Sequence, residues 1–213
     1  MSSANIPIID LKAKELESFS APASLFAAEK NENVLHFVIK GQLFRYYKKT
    51  ATVKPRSAVS GGGKKIRKQK GSGSSRQGGN RGPQWVGGGV AFGPSGVKRN
   101  FKVNKKMRQQ ALATVLTDRL ESGQLKVLRH SSDKPQTKPM AQFVQGSFKG
   151  ARVAFVVAND DVTLGKSVRN MKRVDLLTTE KWTPYDFVKA DTLIFSENAI
   201  KQLTKKYAAE VKA

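Results

Sequence analysis

Residues Ser60 to Gly96 read SGGGKKIRKQKGSGSSRQGGNRGPQWVGGGVAFGPSG and hold thirteen of the chain's eighteen glycines. Aliphatic side chains are almost absent from this stretch, so it has nothing with which to form a core of its own. Glycine also loses more backbone entropy on ordering than any other residue. We therefore expect the wider segment from Lys49 to Phe101 to stay mobile until an external partner supplies contacts.

The charge around this stretch indicates the kind of partner. No Asp or Glu occurs from Asn33 to Thr117, whereas nineteen Lys and Arg residues lie between Lys40 and Arg108. These nineteen cations account for most of the formal net charge of +23. A long acid-free segment of this kind is typical of a surface that binds a polyanion.

Three aromatic residues, Trp85, Phe92 and Phe101, accompany the cations. Glycines let backbone amides approach phosphates, Lys and Arg neutralise them, and aromatic rings offer faces on which unpaired bases stack. A flexible charged linker is the alternative, but linkers rarely combine one sign of charge with large aromatic side chains. If the segment runs outward and then returns, its about fifty residues could reach roughly 80 Å from the body when fully extended. That distance is far enough to enter another particle.

The rest of the chain is rich enough in apolar residues to fold, since 38% of all residues are hydrophobic. About 160 residues remain outside the basic segment, a normal size for one domain. We therefore predict a single globular domain formed by residues 1–48 and 102–213. Residues 49–101 are predicted to form an extended basic loop inserted into it.

Several classes of protein are disfavoured by what the sequence lacks. The chain has no cysteine, and its two histidines, His36 and His130, lie far apart, so we expect no metal site, disulfide or cofactor. The N-terminal residues resemble neither a secretory signal nor a transit peptide. The longest strongly apolar run, Val153 to Ala158, is too short to span a membrane. We expect a soluble, cytoplasmic protein that does not form homo-oligomers.

Hydrophobic spacing predicts helices alternating with short strands that are apolar on both faces. Such strands belong to a mostly parallel sheet covered on both sides, so we predict a three-layer α/β/α fold with the loop inserted between two helices. An edge strand is also expected at Ile6 to Ile9. The other predicted strands are 125–128, 152–158, 174–177 and 191–195, and the predicted helices begin at Asn31, Asn104, Thr137, Val162, Thr183 and Ser196.

The first of these helices is expected to bury one face and the second to meet an anion. Val34, Leu35, Val38, Ile39, Leu43 and Tyr46 follow the spacing of a single apolar face. In the second helix, Lys105, Lys106 and Arg108 occupy the first turn, where cations oppose the helix dipole. Cations at this position do not stabilise the helix, so their presence indicates contact with an external anion.

Two patterns in the chain resemble enzyme motifs. Gly165-Lys166-Ser167 matches the end of a phosphate-binding loop, but Asp160 stands where the first glycine belongs and would repel phosphate. Asp160 and Asp161 also follow a predicted parallel strand, where α/β enzymes place catalytic groups. With no nearby His or Cys, a turn and helix cap is the preferred interpretation.

Three blocks of sequence carry a family resemblance: SGGGKKIRKQKGSG (Ser60 to Gly73), RGPQWVGGGVAFGP (Arg81 to Pro94) and KVNKKMRQQAL (Lys102 to Leu112). Their residues, order and spacing resemble the large-subunit ribosomal protein L four family in its bacterial form. NENVLHFVIKGQL (Asn31 to Leu43) and RNMKRVDLL (Arg169 to Leu177) are also similar to that family. The chain departs from it at Ile66-Arg67, where Pro-Trp is usual.

The resemblance implies a non-enzymatic structural constituent of the large ribosomal subunit. Its body would lie on the outer face of the subunit, and its loop would thread through ribosomal RNA, aid assembly and line the peptide exit tunnel with its tip. The implied partners are large-subunit ribosomal RNA, neighbouring large-subunit proteins and, at the tip, the nascent peptide.

The resemblance also assigns roles to residues. The tunnel tip would comprise Lys64, Lys65, Ile66, Arg67 and Lys68. Together with the flanking cations of the basic segment, the expected RNA-binding residues are Lys48, Lys49, Lys54, Arg56, Lys64, Lys65, Arg67, Lys68, Lys70, Arg76, Arg81, Trp85, Lys98, Arg99, Lys102, Lys105, Lys106 and Arg108.

Two alternatives stay open at this point. A free-standing RNA- or DNA-binding regulator, such as a translational or transcriptional repressor, would also need a basic segment. An α/β enzyme acting on RNA is the other alternative, although no convincing catalytic motif supports it.

Overall fold

The structure of the protein, a computed structural model, describes residues 3–96, 101–130 and 134–210. It divides the chain into two units, which we call the body (residues 1–44 and 102–213) and the arm (residues 45–101). Each unit has its own internal contacts.

One sheet of six strands runs through the body in the order β2-β1-β3-β6-β4-β5. The strands β1 and β2 pair antiparallel, and every other neighbouring pair is parallel. The strands are β1 (Ser3–Ile9), β2 (Glu15–Pro22), β3 (Leu125–Leu128), β4 (Val153–Val157), β5 (Val174–Thr178) and β6 (Thr192–Ser196). The helices of the described residues are α1 (Ala23–Phe26), α2 (Glu32–Tyr46), α3 (Lys105–Glu121), α4 (Thr137–Ser147), α5 (Val162–Val168), α6 (Pro184–Lys189) and α7 (Glu197–Glu210).

Both faces of the sheet are covered, and β4 shows how. Ala154 and Val156 belong to one hydrophobic cluster, which includes side chains of α1, α3, α6 and α7. Val153, Phe155 and Val157 point to the opposite face, where they pack with side chains of α4 and α5. Alternate residues of a strand face opposite sides of the sheet, so an all-apolar strand contributes side chains to the hydrophobic clusters on both faces. The predicted α/β fold with a three-layer arrangement is confirmed.

The helix α3 has seven buried residues, Ala111 to Thr117. Its face carries Leu112, Val115 and Leu116, each at most 2% exposed. Two buried threonines on the same helix have partners: Thr117 Oγ1 accepts the Ala28 backbone N–H at 3.1 Å, and Thr114 Oγ1 accepts that of Asn31 at 3.4 Å. These bonds attach the segment between α1 and α2 to α3 without leaving a buried hydroxyl unpaired.

The N-terminal prediction is wrong in one respect. Ile6 to Ile9 was expected to be an edge strand, but β1 lies between β2 and β3. Its parallel pairing with β3 begins at Ile8, beyond Pro7, so the missing N–H of the proline does not interrupt that pairing. The edge on this side of the sheet is β2, of whose eight residues six are exposed and four are Glu or Ser. Its apolar residues Leu16, Phe19 and Ala21 do not keep a period of two, so the alternating pattern by which strands are recognised is broken.

The expected buried face of α2 is also largely absent. The predicted cap is confirmed, because Asn31 Oδ1 accepts the Val34 N–H at 3.0 Å. Along the helix, however, only Val38 and Gly41 are buried, while Leu43 and Tyr46 are 43% and 67% exposed. Helical spacing therefore predicted the element correctly but not the extent of its burial.

Ion pairs stabilise two edges of the body. Lys30 lies 3.0 Å from Asp118 and 2.6 Å from Glu121, and hydrogen bonds to Glu121 and then Asp118 raise its pKa. Glu197 pairs with Lys201 and Arg129, which lower the pKa of its carboxyl. Arg129 also contacts Glu17 of β2 at 3.1 Å. Lys30, Arg129 and Lys201 are thus paired with carboxylates of the body.

Two antiparallel legs form the arm. The Val53 N–H donates to Pro94 O and the Val90 N–H to Lys54 O, both at 3.0 Å, and Ile66 N–H donates to Gly78 O nearer the tip. Thr52 and Ser95 form an isolated antiparallel bridge. Backbone hydrogen bonds, rather than side-chain packing, therefore join the legs.

No hydrophobic core forms in the described part of the arm. Between residues 45 and 96 the buried positions are Gly82 and Gly89, neither of which has a side chain. Glycine is required at position 89 because a Cβ there would lie 2.4 Å from the Arg56 backbone nitrogen. The legs approach each other as closely as they do only because this side chain is missing.

Removing most of the arm should leave the body folded. We expect a variant with residues 55–93 replaced by two glycines to keep its helical circular dichroism and a cooperative thermal unfolding transition, because the deleted residues bury no apolar side chain. The hydrogen bond between Val53 and Pro94 places the new ends close together. A broad, non-cooperative transition would show that the arm is part of the fold of the body.

Candidate nucleic-acid interface

The predicted cations of the arm face solvent. Lys49 and Arg81 are half-buried, and the other nine of the described set are exposed. None of them forms an ion pair with a carboxylate anywhere in the described part of the chain. The set is Lys48, Lys49, Lys54, Arg56, Lys64, Lys65, Arg67, Lys68, Lys70, Arg76 and Arg81. The arm is therefore a positively charged surface that carboxylates of the described chain do not neutralise.

Both legs of the arm carry cations. On the first leg, Lys54 and Arg56 lie opposite Gly89 and Val90 of the second leg. On the second leg, Arg81 lies beside Gly61 of the first leg. At the tip, the cations contact other polar residues: the Lys65 ammonium donates to Gln69, and Arg67 donates to Ser74. Positive charge thus continues along both legs and around the tip.

Three polar atoms of the arm are buried and have no hydrogen-bond partner among the described residues. They are Gln77 Oε1, Arg81 Nε and the Trp85 indole Nε1. A buried donor or acceptor left unpaired costs roughly 1–3 kcal/mol. This conformation of the arm therefore does not satisfy its own polar groups.

Sequence analysis assigned roles to Ile66 and Phe92 but missed two other exposed apolar side chains of the arm, Val86 and Val90. Val86 and Phe92 are exposed to 106% and 108% of their reference areas, and Val90 and Ile66 to 51% and 43%. Within so glycine-rich a segment, no periodicity distinguishes an exposed from a buried apolar residue. Their orientation could be learned only from the contacts between the legs.

The first turn of α3 presents a second group of cations, in the body. Lys105 and Lys106 are exposed, and Asn104 occupies the cap position without a side-chain hydrogen bond to the helix. Arg108 differs from the two lysines, because its Nη2 donates to Val103 O at 3.0 Å. Lys105 and Lys106 are free to bind an anion at this helix terminus, whereas Arg108 also stabilises the local backbone.

Four other residues were predicted to bind RNA: Trp85, Lys98, Arg99 and Lys102. Lys102 is exposed at the start of the second segment of the body. Trp85 is half-buried in the arm. Lys98 and Arg99 lie outside the residues that the structure describes.

The two enzyme-like motifs have structural roles. Gly165-Lys166-Ser167 lies inside α5, and the Ser167 hydroxyl donates to Thr163 O and accepts the Gln136 N–H, so it is already engaged. Asp161 stands at the cap position of α5, but its carboxylate accepts bonds from Ser196 and Asn198, both at 2.7 Å. The predicted turn at Asp160 and the cap position of Asp161 are confirmed, but the Asp161 carboxylate makes no capping bond and instead joins the β4–α5 turn to the start of α7.

A cleft of about 370 Å³ opens beside the carboxyl ends of β4 and β5. Its polar lining includes Asp160 and Thr179, which both bond to the side chain of Gln202, at 3.2 and 2.9 Å. Glu180, Trp182 and Lys206 complete one side of the cleft. The described residues contain no group of three or more potential metal ligands, and no helix among them is long and apolar enough to cross a bilayer.

Comparison with known proteins identifies the family. Residues 19–206 match the sequence profile of the Ribosomal protein L4/L1 family. The chain is 35% identical over 206 residues to the large ribosomal subunit protein uL4 of Lachnoclostridium phytofermentans, which covers 96% of this chain and all of that protein. It is 37% identical over 180 residues to uL4 of Oceanobacillus iheyensis, covering 84% of this chain and 87% of the relative.

A further relative gives the same result. The uL4 protein of Geotalea uraniireducens is 36% identical over 201 residues, which is 94% of this chain and 97% of that protein. These matches confirm the resemblance drawn from the three sequence blocks and the prediction of a protein that is not an enzyme. The chain belongs to the Ribosomal protein L4/L1 family.

Proposed function

We propose that this protein is a structural constituent of the large ribosomal subunit that binds ribosomal RNA through its arm and the first turn of α3. One observation carries the proposal: eleven described cations of the arm have no carboxylate partner, in a segment that contains no acidic residue. The relatives named large ribosomal subunit proteins, which match nearly the whole chain, support the same assignment.

The mechanism is electrostatic capture. Each phosphate neutralised by Lys or Arg releases a condensed counterion, so binding gains free energy without sequence readout. Glycines in both legs keep the backbone slender enough to pass between RNA helices, and the body anchors the arm at its two ends. The protein then acts by holding RNA segments together during and after assembly, with no reacting group of its own.

Lys64, Lys65, Ile66, Arg67 and Lys68 form the tip in this proposal and line part of the peptide exit tunnel, where they meet the nascent peptide. All five are exposed, which suits a surface that faces a passage. Neighbouring large-subunit proteins are the further partners, and the protein works on cytoplasmic ribosomes as a single copy.

Salt dependence tests the electrostatic mechanism. If six to ten phosphates are neutralised, affinity for large-subunit ribosomal RNA should fall by roughly 10³- to 10⁵-fold between 50 and 200 mM salt, by analogy with duplex DNA. Filter binding with the purified protein measures this slope. Co-sedimentation with large subunits after a moderate salt wash is also expected, whereas a free-standing regulator would be released. A shallow slope together with release would contradict the proposal.

Replacing Lys105 and Lys106 with Gln should weaken RNA binding without destabilising the body. The change removes two phosphate contacts, so the salt slope should decrease by roughly 0.7 to 0.9 for each lysine. It also removes cations from a helix N-terminus, which leaves the free energy of unfolding unchanged or slightly higher. Filter binding and thermal unfolding of the same variant measure both effects.

The control for this variant is the replacement of Lys166 and Lys172 with Gln. It makes the same change in net charge, but Lys166 lies on α5, which covers the opposite face of the sheet from α3. We expect the control to keep the salt slope of the unmodified protein. Equal loss of affinity in both variants would show that net charge, rather than the first turn of α3, determines binding.

Gly89→Ala tests whether the close approach of the legs matters for binding. The added Cβ meets the Arg56 backbone and forces the legs apart, at a cost of about 1–3 kcal/mol. Affinity for the RNA should fall by roughly 5- to 150-fold if that cost is met on binding. No charge is lost, so the salt slope should stay the same.

Gly63→Ala is the matched control, because a Cβ at that position meets nothing within 4 Å. It should bind like the unmodified protein. If Gly89→Ala binds equally well, the paired arrangement of the legs is not the conformation that binds RNA.

A further inference from the structure

Phe92 combines two features that are both energetically unfavourable unless a partner binds the residue. Its ring is fully exposed, at 108% of the reference area. Its backbone has φ of +54°, in the left-handed region that bulky residues rarely adopt. An apolar ring held in water on a disfavoured backbone is costly, and such a combination is found where a partner uses the group.

Contacts on both sides of Phe92 fix its position. On one side the Val90 N–H donates to Lys54 O, and on the other Pro94 O accepts the Val53 N–H. Gly93 lies so close to Val53 that a Cβ would approach the valine Cγ2 to 2.2 Å. The first leg therefore holds the backbone on either side of Phe92, and the ring projects away from a supported position.

The surroundings of the ring favour RNA over an apolar protein pocket. The leg beside Phe92 carries Lys54 and Arg56, both exposed, and no acidic residue occurs within the arm. A ring flanked by cations matches a nucleotide, whose base supplies a flat face and whose phosphates supply negative charge. An apolar pocket on a protein would leave those cations without partners.

We propose that Phe92 is a stacking platform for one unpaired base of the RNA that the arm binds; this inference rests on the proposed function. Bases within a duplex are already stacked on both faces, so the base must come from a loop, bulge or single strand. The sequence treats three aromatic residues alike, but the structure separates them. Trp85 is half-buried with its indole nitrogen enclosed, and Phe101 is half-buried and engaged in other contacts.

The test compares four variants of the full-length protein in filter binding to large-subunit ribosomal RNA across a range of salt concentrations. Phe92→Leu keeps an apolar side chain but loses the flat ring, and Phe92→Trp enlarges the ring. Phe92→Gly loses the ring and relieves the backbone, so it separates strain from stacking. Val86→Ala is the matched control, since Val86 is as exposed as Phe92 but is not aromatic.

Loss of the ring should weaken binding by roughly 5- to 150-fold, the range for one base stacked on an aromatic side chain. We expect this loss in Phe92→Leu and Phe92→Gly, with the salt slope unchanged because no phosphate contact is removed. Phe92→Trp and Val86→Ala should stay within about twofold of the unmodified protein, since stacking persists in one and was never present in the other. Phe92→Gly should also be no less stable in thermal unfolding.

Two outcomes would overturn the inference. One is unmodified affinity in Phe92→Leu; if that variant is also poorly incorporated into subunits, the partner at Phe92 is a protein. The other is an equal loss in Val86→Ala, which would indicate a general apolar contact. Failure of the proposed function is distinguishable, because the unmodified protein itself would then bind the RNA weakly and with a shallow salt slope.

Discussion

The uncompensated positive charge of the arm is the constraint on which the rest of the structure depends. All sixteen acidic residues lie before Asn33 or after Thr117, so the cations of the arm have no local carboxylates. In the body, by contrast, Lys30 and Arg129 are paired with carboxylates from other elements. Positive charge and hydrophobic core thus lie in different parts of the chain: the body folds around apolar strands, whereas the arm carries cations with no carboxylates near them in sequence.

The arm also lacks the means to hold one conformation in water. Its buried residues are glycines, its legs are joined by a few backbone bonds, and Gln77, Arg81 and Trp85 each bury an unpaired polar atom. Ordering so many glycines is entropically costly, and these contacts offer little in return. In the proposed function, RNA supplies anions for these cations and a surface for the exposed ring of Phe92. We infer that the arm takes its lasting shape only when it is bound.

Elements with strong apolar patterns could be predicted from the sequence, whereas features that depend on tertiary contacts could not. The strand β4 and the capped helix α3 were predicted because runs of apolar residues and cap residues are local signals. The exposed edge strand β2 carried no such signal. The apolar residues on the exposed side of α2 have the same spacing as those of a buried helix face, so the sequence could not show that they are exposed. In the site, composition identified the cations, but it could not show that Arg108 bonds to Val103 or that Phe92 projects into solvent.

Limited proteolysis with trypsin tests the central claim most directly, because cleavage at Lys and Arg requires a locally mobile chain. The account predicts rapid cleavage confined to residues 45–96 in the free protein, while the body stays intact. The same sites should be protected in purified large ribosomal subunits. An arm that resists trypsin in the free protein, or that is cut equally fast in subunits, would contradict the account.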